Sequence, residues 1–168
     1  AMFLPHHLGA RRLAEASGEE HLATTARTHA VRVVRVYALL SITSIVALML
    51  VSGDGFGGLV HGLAAISTGG FTMYDSSLAG VDTAVQAVVL AAILLGAICL
   101  PLYDRAWRKG VGELTRDAEL RALLLAVGLV GVVVWGSIAL EGAAASWQPM
   151  DIVFVAASAQ TTAGFSTQ

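Results

Sequence analysis

Long charge-free apolar stretches alternate along this chain with shorter apolar stretches that end in glycine and hydroxyl residues. Val36 to Val51 carries no charge, and extending it back to Val33 takes in Arg35, whose long side chain can reach an interface. Thr83 to Tyr103 and Ala122 to Leu140 are likewise uncharged. Each approaches the roughly 20 residues needed to cross a hydrocarbon core of about 30 Å, so three spans are expected. Burial in a large soluble protein is the alternative, but three such lengths in one short chain argue against it. Phe56 to Ser67 and Pro149 to Gln160 are apolar yet too short to cross. Each reads as a re-entrant helix, tolerated at membrane depth only where protein or a water-filled cavity satisfies its backbone. Pro149 suits a first helical turn, and Asp151 complements the positive helix N-terminus.

Composition supports the membrane reading. The chain is 56% hydrophobic and 13% charged, against roughly 25% charged for a soluble domain. The basic residues orient it. They fall at Arg11, Arg12, Arg27, Arg32 and Arg35, before the first span, and at Arg105, Arg108, Lys109, Arg116 and Arg121, between the second and third. The positive-inside rule makes both windows cytoplasmic, and both glycine-bearing loops then open to the extracellular or periplasmic side. Neither the clustered charges nor the net charge of -2 suits nucleic acid. The single Cys99 lies in an apolar run, so no disulfide framework or common metal site is available. Gly96 would permit a bend or a close helix contact, whereas Gly128 and Gly131 read as packing positions.

Two loops repeat each other. Ala65-Ile66-Ser67-Thr68-Gly69-Gly70-Phe71-Thr72 follows the first re-entrant stretch, and Ala159-Gln160-Thr161-Thr162-Ala163-Gly164-Phe165-Ser166 follows the second. A cation filter requires backbone carbonyls turned inward to replace a hydration shell, and glycine permits the dihedral angles involved. The expected filter residues are Thr68, Gly69 and Gly70 with Thr162, Ala163 and Gly164. Ser67, Phe71, Thr161 and Phe165 are expected to support them, the two phenylalanines from behind. Against this, the threonines would cap a helix or fill a turn, and the glycines would make an ordinary tight turn. Asp75 suits either an outer mouth that concentrates cations or a turn carboxylate. His61 reads as a packing or hydrogen-bonding residue.

The stretch from Val60 to Ser77, with its Ser-Thr-Gly-Gly-Phe-Thr core, resembles the second pore loop of the Trk/Ktr/HKT potassium-transporter superfamily, closest to its bacterial Trk membrane subunits. Asp151 to Gln168 resembles the third pore loop, and Tyr103 to Arg121 resembles the cytoplasmic link between them. The resemblance covers the chain from about Ala26 onward. It implies an all-α polytopic protein of the bacterial inner membrane with four repeats around one pseudo-fourfold pore. It also implies inward potassium movement, a homodimer, and a cytoplasmic nucleotide-binding regulatory subunit. The transported ion it implies is K+, bound by filter carbonyls, and it implies no cofactor.

On this reading 1–32 is a cytoplasmic connection and 33–103 a complete pore repeat with its loop at 56–72. A linker follows at 104–120, and 121–168 is a partial repeat with its loop at 149–168. Two loops where the family has four make the chain an expected internal fragment of a longer transporter. A non-conducting polytopic scaffold is the alternative function. No nucleophile with a base and no carboxylate pair within a span is visible, so no enzyme is expected. A membrane hydrolase would have only His61 with Ser67, which nothing orients.

Overall fold

The computed structural model describes residues 6–142 and 147–167, without the side chains of residues 6–26 and 29. The expected loop through 168 is described up to 167, and the side chains of His6 and His7 lie outside the described residues. Among the described residues seven helices run in order: α1 His6–Ser52, α2 Gly55–Ile66, α3 Thr83–Ala97, α4 Leu100–Lys109, α5 Gly112–Arg116, α6 Ala118–Leu140 and α7 Pro149–Gln160. No strand occurs among the described residues. The chain divides into two units, 1–35 and 36–168. The first is helical from His6, in a helix that runs on to Ser52, and the second holds the packing and the loops described below.

Two helical segments, Ala30–Ser52 and Ala118–Leu140, are long and apolar enough to cross a membrane, and few of their residues are buried. Leu39, Ile42 and Leu50 on α1 and Leu125, Leu129 and Val132 on α6 present apolar side chains outward. Such faces suit a hydrocarbon surrounding rather than water. The stretch expected as a single span over 83–103 is broken. Helices α3 and α4 meet at 88°, with Ile98 and Cys99 extended between them. Pro101 explains the break, because it has no N–H for the Ala97 carbonyl and its ring would clash there. The Tyr103 hydroxyl donates to the Leu95 carbonyl at 2.6 Å, satisfying one acceptor that the interrupted helix leaves open. The stretch expected as a linker over 104–120 is itself largely helical, as the end of α4 and all of α5.

Each re-entrant helix has a built start. Asp54 caps α2, its carboxylate accepting from the Phe56 N–H at 3.0 Å. In α7 Pro149 occupies the first turn, and the Asp151 carboxylate accepts from the Gln148 N–H at 2.9 Å. Asp117 starts α6 by accepting from the N–H groups of Glu119 and Leu120, while its other oxygen meets Arg105 at 2.8 Å.

The core gathers around the short helices. Helix α3 packs against both α2 and α7, and α6 packs against α7. Leu78, Val89, Ile93, Phe154 and Ala157 are buried together there. Glycines set how closely the helices approach. A side chain on Gly58 would strike the Met49 backbone at 2.7 Å, and one on Gly62 the Ile45 Cα at 2.9 Å. The two glycines lie one turn apart on one face of α2 and let α1 lie against its backbone. Gly96 of α3 does the same at the far end of α2, where a Cβ would stand 2.2 Å from the Ile66 carbonyl oxygen. Gly131 faces Ala156 of α7 at ordinary contact distance, and Gly128 faces open space. Gly62→Leu should therefore destabilise by at least about 1–3 kcal/mol through overpacking. Gly128→Ala should hold or raise stability, and thermal unfolding in detergent compares the two.

Candidate functional site

Both glycine loops begin as the same helix ending. After α2, the Gly69 N–H donates to the Ala64 carbonyl at 2.7 Å and the Thr68 N–H to Ala65 at 3.0 Å. After α7, Ala163 N–H donates to Ser158 at 2.9 Å and Thr162 N–H to Ala159 at 3.3 Å. This crossed pair is a Schellman ending, in which one residue past the cap takes left-handed backbone. Glycine normally sits there. Here the position is Thr68 (φ 50°) in one loop and Thr162 (φ 57°) in the other, a conformation that a β-branched residue adopts rarely and at roughly 1–2 kcal/mol. The preceding hydroxyls close the helix ends in the same way in both loops. Ser67 Oγ donates to Leu63 and Thr161 Oγ1 to Ala157, each at 2.7 Å. The capping alternative weighed for the threonines thus describes their backbone position.

Two residues on, the backbone is left-handed again, at Gly70 (φ 68°) and Gly164 (φ 74°). Gly69 and Ala163 between them have negative φ. Among the described residues, no donor reaches the carbonyls of Thr68, Gly69, Gly70, Thr162, Ala163 or Gly164. The helix endings spend the carbonyls of Ala64, Ala65, Ser158 and Ala159, and the six loop carbonyls stay uncommitted among the described residues.

The loops also touch. A Cβ on Gly70 would stand 2.3 Å from the Ala163 carbonyl oxygen and 3.5 Å from the Gly164 Cα, whereas Gly164 faces open space. The turn after the first loop then ties down the second. Ser77, itself left-handed at φ 57°, accepts the Ser166 N–H on its hydroxyl at 3.0 Å. The Leu78 N–H donates to the Ser166 carbonyl at 2.9 Å. Buried Gln86 of α3 donates to the carbonyls of Leu78 and Val81 at 3.0 and 3.2 Å. Ser77 and Gln86 were not singled out from sequence, although a lone amide in an otherwise apolar span was the available signal.

The expected supports divide. Phe165 is 3% exposed, its carbonyl held by the buried Ser158 hydroxyl at 2.7 Å. Phe71 is 73% exposed and lines an open groove with Tyr37, Val60 and Leu63; it does not brace its loop from behind. The residue matching Ser158 is Ala64, which has no hydroxyl to draw the Phe71 carbonyl inward. Asp75 lies exposed on the turn between the first loop and α3. His61 is buried on α2 and stacks on Tyr74 with ring centroids 5.6 Å apart. Ser77→Ala leaves the Ser166 N–H without its acceptor, so it should destabilise by about 1–3 kcal/mol. Thr162→Gly, by relieving left-handed strain, should raise the unfolding temperature; a fall would contradict the strain assigned to that position.

A family model described as TrkH, cation transport protein, matches residues 11–168. The chain is 30% identical over 142 residues to the Trk system potassium uptake protein TrkH of Halomonas elongata, covering 78% of this chain and 28% of that protein. It is 33% identical over 155 residues to the Trk system potassium uptake protein TrkG of Escherichia coli K12, covering 88% and 30% respectively. Its fold superposes on the crystal structure of the potassium transporter TrkH from Vibrio parahaemolyticus with a TM-score of 0.72 and 26% identity, over 87% of this chain and 32% of that one. The chain thus spans about 30% of the length of these relatives. Its paired helices, its duplicated loops and a match over nearly its whole length lead to one assignment: the chain belongs to the TrkH family of cation transport proteins.

Proposed function

We propose that the chain forms part of a potassium uptake transporter, in which the carbonyls of Thr68, Gly69 and Gly70 and of Thr162, Ala163 and Gly164 coordinate dehydrated K+. The observation that carries this reading is the set of six uncommitted carbonyls on two loops whose backbones touch. Uncompensated polar backbone inside a membrane is expensive, and a cation that replaces its water with these oxygens repays that cost. Alternation of positive and negative φ supports it, because it turns neighbouring carbonyls out of the opposed directions they take in a plain strand. The two helix C-termini add their negative ends at the start of each loop.

Two loops make part of a coordination ring, and a complete transporter of this family would supply the others. By the positive-inside rule the loops open to the outer side of the bacterial inner membrane, and Asp75 lies at that mouth. A homodimer and a cytoplasmic nucleotide-binding regulatory subunit belong to the same proposal. They rest on the resemblance alone.

Gly70→Ser tests the filter directly, since the substitution puts a side chain into the Ala163 carbonyl at a left-handed position. In the complete transporter, K+ at about one hundred times its Kd should stabilise the wild type by about 2.7 kcal/mol over choline. Gly70→Ser should lose that increment and at least about tenfold in K+ uptake, while Gly128→Ala keeps both. Equal stabilisation of wild type and Gly70→Ser by K+ and choline would remove the filter assignment.

A further inference from the structure

Behind the first loop lies a cavity of about 180 Å³ between the end of α1, the start of α2, the turn after the loop and the start of α3. The ionisable groups lining it are Asp54 from the α1–α2 turn, His61 from α2, Tyr74 from the turn after the loop and Asp82 from the start of α3. The remaining lining is one serine, one glycine and three valines, so among the described residues no lysine or arginine faces it. Asp54 and Asp82 are exposed at its edge, whereas His61 is 5% exposed.

Nε2 of the His61 ring is buried and has no hydrogen-bond partner among the described residues. In the neutral imidazole one ring nitrogen donates and the other carries a lone pair, and an Nε2 with no acceptor to donate to suits the lone pair. A buried acceptor left without a donor is costly, and here it borders a cavity whose edge carries two carboxylates. A metal does not fit, since no group of three suitable ligands lies close enough among the described residues. The ligand that needs one lone pair and nearby negative charge is a proton.

We propose that this cavity is a proton-binding site: His61 Nε2 takes a proton from solvent, Asp54 and Asp82 balance the imidazolium, and the bound proton weakens K+ binding at the loops. The step is a simple protonation, in which the Nε2 lone pair forms the new N–H bond and hydronium gives up the proton, leaving as water. Its link to the loop is short. His61 stacks on Tyr74, and the Tyr74 carbonyl accepts from the Thr72 hydroxyl at 2.8 Å, two residues past Gly70. Along α2, His61 precedes Thr68 by seven residues, or about 10 Å at 1.5 Å per residue. At that distance in a medium poorer than water, two positive charges repel appreciably. By linkage, K+ in the loops must weaken proton binding by the same factor.

The coupling half of this proposal rests on the filter reading, and the proton site does not. In the complete transporter, K+ affinity measured by thermal stabilisation should fall by about fivefold or more between pH 8 and pH 5, a window that reaches low because burial lowers the His61 pKa. His61→Gln should abolish the dependence. Asp54→Asn, which still caps α2, should move the midpoint to lower pH because one balancing charge is gone. A wild-type affinity that is flat with pH, or a dependence that survives in His61→Gln, overturns the coupling. Nitrogen-15 NMR of labelled histidine reads the site without reference to K+. A ring that stays neutral down to pH 5 overturns the proton site. A ring that titrates in a protein on which K+ has no effect at any pH upholds the proton site and sinks the filter reading.

Discussion

The rest of the structure depends on one contact between backbones, where Gly70 lies against the carbonyl of Ala163. Neither loop has a strand ladder to hold it, and each hangs from the end of a helix too short to cross a membrane. Their mutual position comes instead from atoms that cannot be moved without moving a helix. Helix α3 sits between α2 and α7 and approaches the end of α2 through Gly96. Helix α1 approaches the start of α2 through Gly58 and Gly62. Lipid supplies little hydrophobic drive between helices, so association there relies on close van der Waals packing and hydrogen bonds. The absence of a Cβ at these glycines creates that closeness.

The two loops share a backbone but not a setting. Both carry a threonine in left-handed conformation at a position that glycine would fill without strain, and such outliers persist only where the surroundings over-determine them. The crossed hydrogen bonds at the helix ends and the capping hydroxyls of Ser67 and Thr161 supply that determination. Beyond it the loops diverge. The second is fixed from within by Ser158 and from outside by Ser77 and Leu78. The first has none of these ties, and its Phe71 stands exposed. One loop is therefore anchored by its neighbour, and the neighbour is held mainly through its helix.

Polar groups inside an apolar molecule mark where the geometry is specified. Gln86 reaches two carbonyls of the turn that holds Ser166. Tyr103 stitches the break between α3 and α4. Asp117 starts α6 with one oxygen and meets Arg105 with the other. Each is worth little as a surface contact. Of these, Gln86 is buried, so a missing partner would leave its donor open and the cost of that fixes its arrangement, whereas the contacts of Tyr103 and of Asp117 with Arg105 are exposed.

The sequence by itself determined the helical class, two of the spans, both short helices that precede the loops and the duplication of the loops. Those features are written in runs of apolar residues and in local glycine and hydroxyl chemistry, and neither needs a distant partner to be read. It did not show that the stretch over 83–103 breaks, although Pro101 stood in plain view, because hydropathy counts apolar residues and is blind to a missing N–H. Nor did it separate Phe71 from Phe165. Their neighbours along the chain are alike, and the difference lies in one hydroxyl on Ser158 that matters only once the loop folds back over α7. Ser77, Gln86 and the meeting of Gly70 with Ala163 belong to the same class. They join residues far apart in the chain, and only tertiary packing brings such residues within hydrogen-bonding or van der Waals reach.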